Sequence, residues 1–192
     1  MSIPQNTNLA ETFAELTKSD AKVTSLADSH FAKPASAERV NAAKAALEKN
    51  GFKVHVVNTR ADAFEALKNL IPAGVSINNA HSTTLEEIGF ITYIKGDTPW
   101  KNIHGTIVQE KDAAKQADLR RTLGSTVDYY LTSVAAIVKD EQEAWKRQEE
   151  HALPMESARV RIAYGLPQSS VTHWEYIRTS SPFNANRIQV LL

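Results

Sequence analysis

The stretch "GVSINNAHSTTLEEIG" spans residues 74–89 and carries the clearest signal for the fold. An apolar, β-rich run follows Gly74, which predicts a strand. Hydroxyl and Glu residues come next, where Thr83 with Glu86, or Thr84 with Glu87, fits a capping box at a helix start. Gly89 fits the end of that helix. The stretch therefore predicts a strand that leads directly into a short, capped helix.

The residues before this stretch repeat the same alternation. A Ser-capped helix is predicted over 36–51, ending at Asn-Gly, and a β-rich strand over 52–58. A second helix is predicted from Thr59, with Phe64, Leu67 and Ile71 on one face, until Pro-Ala-Gly breaks it. The order helix, strand, helix, strand with short connections predicts parallel strands with right-handed crossovers, in an α/β fold.

The second half of the chain gives weaker signals. The run "TVDYYLTSVAAIV", residues 126–138, is the strongest strand prediction in the sequence. We expect loop or short helix over 91–105 and a helix ending near Gly124. Beyond the strand, the predictions are a helix capped by Asp140 and Glu143, a second helix with Pro154 in its first turn, and two final strands, 169–180 and 186–192, paired antiparallel through Ser181-Pro182.

Composition excludes several classes of function. The 192 residues include no Cys, so thiolate chemistry and disulfides are not expected. They carry no net charge, so a general electrostatic attraction to nucleic acid or anionic lipid is not expected either. No window approaches the roughly 20 apolar residues that cross a bilayer. The first residues lack the basic and apolar regions of a signal peptide. We expect a cytoplasmic protein that binds neither nucleic acid nor membrane.

The opening stretch holds more polar residues than a helix start needs. A cap explains Thr84, Glu87 and Gly89, but it leaves Asn79, His81 and Ser82 unexplained. Ligands of parallel sheets bind at the carboxyl ends of strands, and N–H groups at a helix start suit anions. Two interpretations stay open at this point: a plain capped helix, or a loop that holds a small anion.

The motif Ser82-x-Thr84-Leu85-x-Glu87-Ile88-Gly89, after a "GVSI" strand, resembles the signature of the LUD domain, the lactate-utilisation protein family. The lead-in over 38–74 and the stretch "STVDYYLTSVAAI", residues 125–137, are similar to further parts of that family. The resemblance covers roughly residues 36–192. It implies a Rossmann-like α/β fold with a mostly parallel sheet flanked by helices, as in the sugar-phosphate isomerase and CoA-transferase-like superfamily.

The resemblance also implies a function. The family is implicated in oxidising lactate to pyruvate, often beside iron–sulfur partner proteins, and members of this type carry no cluster. This sequence departs from the family's second signature, where Ser133 and Ala135 replace Gly and Asn. The run after Leu131 also continues directly into "AIVKDEQEAW". We therefore predict that a strand pair and its loop, which relatives in the family have at this point, are missing from this chain.

These observations give one set of predictions. Residues 1–35 form a helical arm or extension, and residues 36–192 form the LUD-like domain. No metal or cofactor is expected, because the six His are scattered, and a homo-oligomer stays open. Asp128 is either a cap or turn residue or a ligand contact. The predicted ligand-binding residues are Asn79, His81, Ser82, Thr83, Thr84, Glu87 and Asp128.

The function has two alternatives. The first is a protein of lactate or related organic-acid utilisation that binds a small anionic metabolite, with or without catalysis. The second is a non-catalytic binding or regulatory module that kept the fold and lost part of the site. The motif from Ser82 to Gly89 favours the first alternative, and the changes at Ser133 and Ala135 favour the second.

Overall fold

The computed structural model describes residues 33–80, 82–134 and 188–192, together with Glu15, Lys18, Ala21, Thr24, Ser25, Asp28, Ile137, Gln142 and Ile177. Several predictions lie outside the described residues. These are most of the arm over 1–35, His81, Ala135, the helices that follow Asp140 and Pro154, and the strand over 169–180 apart from Ile177.

The described helices and strands alternate along the chain. In chain order they are α1 (Ala37–Lys49), β1 (Lys53–His55), α2 (Arg60–Leu70), β2 (Ser76–Asn79), α3 (Thr83–Glu87), α4 (Phe90–Tyr93), β3 (Lys101–Asn102), α5 (Ile103–Gln109), α6 (Ala113–Thr122), β4 (Tyr129–Leu131) and β5 (Gln189–Leu191). Every described strand pair is parallel. The α/β class with parallel strands flanked by helices, predicted from the sequence, is therefore confirmed.

The elements fall into two compact units. One holds α1, β1 and β5, and the other holds the elements from α2 to β4. The described strands form a two-stranded sheet β1-β5 and a three-stranded sheet in the order β3-β2-β4. Chain order predicts that strands are parallel, but it does not fix which strands become neighbours.

The first unit forms as its local signals predict. Ser36 caps α1, its Oγ accepting a hydrogen bond from the N–H of Arg39 at 3.3 Å. The helix ends at Asn50, and Gly51 takes a left-handed φ of 81°. The following strand β1 pairs with β5 along its whole length. The antiparallel pairing expected between the final strand and the strand over 169–180 lies outside the described residues and stays a prediction.

The second unit is built around β2, its central strand. Helix α2 begins at Thr59, whose Oγ1 accepts from the N–H of Asp62 at 3.1 Å. After α2, Gly74 takes a φ of 83° and turns the chain into β2. Strand β2 then pairs with both β3 and β4.

The core of the second unit includes residues of this sheet and of the helices around it. Phe90 and Ile77 are fully buried, and the indole N–H of Trp100 donates to the carbonyl of Ile71 at 3.2 Å. The rings of Phe64, Phe90, Tyr93 and Trp100 contact one another, mostly edge to face. Phe64, Leu67 and Ile71 do face this core together, as the helical spacing of α2 predicted.

Two features of the second unit were not predicted. Strand β3, of two residues, lies within the segment expected to be loop or short helix, and α5 follows it at once. Asn102 joins the two elements, since its side chain accepts from the N–H of Gly105 at 2.9 Å. None of the described helices is long and apolar enough to cross a membrane.

Candidate functional site

The carboxyl ends of β2 and β4 lie side by side in the three-stranded sheet. Their ladder pairs Asn79 with Leu131, and one further bond, from the N–H of Ala80 to the carbonyl of Leu131 at 3.0 Å, continues it past the strand end. The residues that follow each strand are therefore neighbours at one edge. Ligands of parallel sheets bind at this kind of edge.

Ser82 is the N-cap of α3, the helix that starts at this edge. Its Oγ accepts from the N–H of Leu85 at 3.1 Å, and the residue is only 3% exposed. The sequence predicted a cap at Thr83 or Thr84, so the predicted helix start was wrong by one or two residues. The sequence offered no structural explanation for the Ser82 hydroxyl, but this hydroxyl caps the helix.

The Ser82 hydroxyl also contacts Ser133, with 2.9 Å between the two Oγ atoms. Because Leu85 N–H can only donate, it occupies an acceptor site on Ser82. Among the described residues, Ser133 is the remaining partner of the buried Ser82 hydroxyl, so Ser82 donates its hydrogen to Ser133. The hydrogen of Ser133, an exposed residue, is then free to bond another group. This contact joins the two stretches that carry the family resemblance.

Asn78 has a structural role at the same edge. Its Nδ2 donates to the carbonyl of Gly124 at 3.1 Å, and its Oδ1 accepts from the N–H of Asn79 at 2.9 Å. Both ends of this buried amide are thus paired. Asn78 ties the end of β2 to the turn before β4.

Asn79 is different, because only one end of its amide is paired. Its Nδ2 donates to the carbonyl of Ala80 at 3.1 Å, while its Oδ1 has no hydrogen-bond partner among the described residues. The residue is 8% exposed. A buried polar atom without a partner costs about 1–3 kcal/mol, and such atoms are rare in native proteins. The Oδ1 of Asn79 is therefore a hydrogen-bond acceptor that is available to a donor from a ligand.

The remaining predicted residues on α3 are more exposed. Thr83 is partly buried and Thr84 is exposed, both in the first turn. The Oε2 of Glu87 lies 3.7 Å from Nη2 of Arg60, and both side chains are largely in solvent. A solvated ion pair of this length contributes little to stability. His81, which was also predicted at this edge, lies outside the described residues.

Asp128 stands apart from the other predicted residues. Its Oδ2 accepts from the N–H of Ser76 at 2.7 Å and from the hydroxyl of Ser76 at 2.6 Å. Its own N–H donates back to Ser76 Oγ at 3.0 Å. Ser76 begins β2, so Asp128 lies at the amino ends of the strands, away from Asn79 and Ser82. Asp128 is neither a helix cap nor part of the carboxyl edge. Its hydrogen bonds to Ser76 hold the starts of β2 and β4 together.

The hydrogen bonds to Ser76 also change the acidity of Asp128. The hydroxyl of Ser76, followed by its backbone N–H, lowers the pKa of the Asp128 carboxyl below its ordinary value, and Lys101 adds a smaller effect in the same direction. These donors favour the charged carboxylate. Asp128 is thus an ionised structural residue of the sheet.

Sequence reasoning did not place Ser133 among the site residues. The signal was present, since Ser133 lies within the run that gave the strongest strand prediction and stands at a changed position of the second signature. Parallel strands bring such positions together at one edge. Within the described part of the chain, no group of three or more His, Asp or Glu side chains could hold a metal ion.

Comparison with known proteins gives one match. The family model of the LUD domain matches residues 40–140, which is more than half of the chain and includes both strands of the candidate site. No curated protein and no solved structure matches the chain. On the strength of this match, the chain belongs to the LUD domain family.

Proposed function

We propose that the carboxyl edge of β2 and β4 binds a small organic anion, lactate or a related acid. The family to which the chain belongs is associated with lactate utilisation. The proposed ligand-binding residues are those of the edge: Asn79, His81, Ser82, Thr83, Thr84, Glu87 and Ser133. Asp128 is left out of this set, because it is engaged with Ser76 at the opposite ends of the strands.

The hydroxyl pair of Ser82 and Ser133 carries this proposal. The hydrogen-bond chain runs from Leu85 N–H to Ser82 to Ser133, and its direction leaves the Ser133 hydrogen unused. An exposed hydroxyl with a free hydrogen is a donor that a carboxylate oxygen can accept. Ser82 contributes by orienting Ser133, in addition to capping α3.

The start of α3 supplies further donors of the same kind. The first N–H groups of a helix have no partner within the helix, and Thr83 and Thr84 occupy that first turn. A helix of five residues has little macrodipole, so their contribution is that of individual hydrogen bonds. Together with Ser133, they support an edge that donates to an anion.

A second candidate function is a binding module without catalysis. The Ser82 hydroxyl is committed as a cap and as a donor, so it is not available as a nucleophile. Apart from Glu86 and Glu87 of α3, the described side chains of the edge are amides and hydroxyls. Such groups bind and orient a ligand, but they do not exchange protons near neutral pH.

The proposal includes a partner and a location. Oxidation of lactate needs an electron acceptor, and the chain has no Cys to hold an iron–sulfur cluster. Because the family often acts beside iron–sulfur proteins, we propose an iron–sulfur protein as its partner, in the cytoplasm, and leave a homo-oligomer as an alternative state. Co-purification from cell extract followed by iron analysis tests the partner.

Calorimetric titration tests the ligand directly. Lactate, pyruvate, phosphate and a CoA ester are titrated into the wild-type chain, and turnover is followed with an artificial electron acceptor. We expect an organic acid to bind and the Ser133→Ala variant to bind it about tenfold more weakly, the effect of one charge-assisted hydrogen bond. Ser125→Ala, which removes an exposed hydroxyl before β4, is the control and should bind as the wild type does.

Each outcome decides between the alternatives. Binding with turnover supports the enzyme, and binding without turnover supports the module. If no small acid binds, both forms of the proposal fail. If the acid binds equally well to Ser133→Ala, the ligand is not held by this hydroxyl.

A further inference from the structure

We infer that Asn79 selects carboxylic acids that also carry a hydrogen-bond donor, a hydroxyl or an ammonium group. The inference rests on the proposed function and deepens it, by naming the specificity-determining residue and the ligand chemistry it selects. It starts from the unpaired Oδ1 of Asn79 at the carboxyl end of β2.

The orientation of the Asn79 amide is fixed by its surroundings. Nδ2 lies 3.1 Å from the carbonyl oxygen of Ala80, the first residue after β2. The flipped amide would set two oxygens against each other at that distance, so the nitrogen must face Ala80. Oδ1 is therefore the atom left without a partner, and it is an acceptor only.

The adjacent residue shows that this is not a general property of the strand end. Asn78 has the same side chain and nearly the same burial, yet its nitrogen and its oxygen are both paired. The fold thus satisfies one of two neighbouring amides completely. The second is left with an acceptor that the fold of the described residues does not use.

The polarity of this acceptor determines what it can bind. Carboxylate and ketone oxygens are acceptors themselves, so neither can pair with Oδ1 of Asn79. A hydroxyl or an ammonium can. Ser133 offers the opposite polarity, a free donor suited to the carboxylate. One ligand can pair with both residues when it carries both a carboxylate and a donor group.

The burial of Asn79 gives this selection its strength. Oδ1 is sealed from bulk water in the ligand-free chain. A bond to a ligand donor then forms without competition from water. Sites that hydrogen-bond a ligand hydroxyl in this way reject the analogue without it strongly, because the buried protein group stays unpaired.

Four three-carbon acids of similar size test the inference by calorimetric titration. Lactate and alanine carry a donor at the second carbon, pyruvate carries an acceptor, and propionate carries neither. We expect the wild-type chain to bind lactate or alanine at least about tenfold more tightly than pyruvate and propionate, since one buried hydrogen bond is at stake. Comparison of lactate with alanine identifies the donor as hydroxyl or ammonium.

Two variants separate selection from general binding. Asn79→Leu keeps the branching of the side chain at Cγ and removes the acceptor together with the Nδ2 donor, so the preference should fall to less than about threefold. Ser133→Ala should weaken all four acids by a similar factor and keep the preference. The comparison of four acids on the wild-type chain stands by itself if Asn79→Leu fails to fold.

The outcomes distinguish this inference from the proposed function. Equal binding of all four acids, or preference for pyruvate, overturns the role of Asn79 and leaves the anion site intact; equal binding is also the result expected if Oδ1 holds a structural water. A preference that survives in a folded Asn79→Leu variant overturns it as well. Absence of binding by all four acids overturns both.

Discussion

At the scale of single residues, Ser82 connects stability with the candidate site. Its hydroxyl accepts from Leu85 N–H as the cap of α3 and donates to Ser133. We expect Ser82→Ala to lower the free energy of unfolding by about 1–2 kcal/mol, from the lost cap and the lost hydroxyl pair. Urea unfolding followed by circular dichroism measures this loss.

The control for Ser82 is the neighbouring hydroxyl of Thr84. Thr84 is exposed within the first turn of α3, so Thr84→Ala should change the unfolding free energy by less than about 0.5 kcal/mol. Equal losses for Ser82→Ala and Thr84→Ala would contradict the assignment of the cap.

Asp128 gives a pH-dependent prediction. Its carboxylate accepts two hydrogen bonds from Ser76, which lower its pKa in the folded chain. A lowered folded-state pKa adds stability above the ordinary aspartate pKa, and that stability is lost as the pH falls through the lowered value. Asp128→Asn should therefore destabilise the protein most at neutral pH, and the difference should shrink in acid.

Unfolding free energies of wild type and Asp128→Asn, compared from neutral to acidic pH, test this prediction. Asp97→Asn, in an exposed loop of the same unit, controls for the removal of one negative charge. A difference between wild type and Asp128→Asn that stays constant with pH would show that the charge of Asp128 is not what stabilises the strand starts.

The residues of the site show where sequence reasoning fails at this scale. Three hydroxyls in a row, Ser82 to Thr84, offer three helix starts, and acidic residues three positions on favour the second and third. The helix starts after the first of them, Ser82. The Ser82 hydroxyl also contacts Ser133, which lies 51 positions later in the sequence. A contact between residues so far apart along the chain cannot be predicted from the spacing of neighbouring residues.

At the scale of elements, Gly89 separates α3 from α4. It takes a φ of 79°, and a Cβ built there meets nothing within 4 Å. Gly89→Ala should therefore cost only the backbone strain of the left-handed conformation, about 1 kcal/mol.

Gly124, in the turn before β4, gives the contrasting case. A Cβ there would lie 2.5 Å from the carbonyl oxygen of Arg120 and 3.3 Å from Nδ2 of Asn78. Gly124→Ala should therefore destabilise more than Gly89→Ala, because the backbone must move and Asn78 is disturbed. Thermal unfolding of both variants measures the order, and the reverse order would contradict the described turn geometry.

Elements with strong local signals could be predicted from the sequence. The bounds of α1 and α2 follow from Ser36, Thr59 and the glycines behind them, because caps and left-handed turns are local properties. Strand β3 could not be predicted, since two residues carry no periodicity and are ordered by pairing with β2. The long β-rich run over 126–138 gave only the three-residue strand β4 among its described residues.

At the scale of the whole molecule, the alternation of helices and strands predicted the α/β class and the parallel direction of the strands. It did not predict which strands pair with each other. Strand β1 pairs with β5, which lies more than 130 residues further along the chain. The missing strand pair predicted after Leu131 stays a prediction, because Ala135, Ala136 and most residues to Trp145 lie outside the described residues. The domain boundary at residue 35 likewise stays a prediction.

The central claim is that the carboxyl edge of β2 and β4, rather than the amino edge, holds a small organic anion. Titration of the isotope-labelled protein with lactate, followed by amide NMR shifts, tests it most directly. The account predicts saturable shifts at the side-chain amide of Asn79 and at the backbone of Thr83, Thr84 and Ser133, with Ser76 and Asp128 unchanged. Saturable shifts centred on Ser76 and Asp128, or no saturable shift at all, would contradict it.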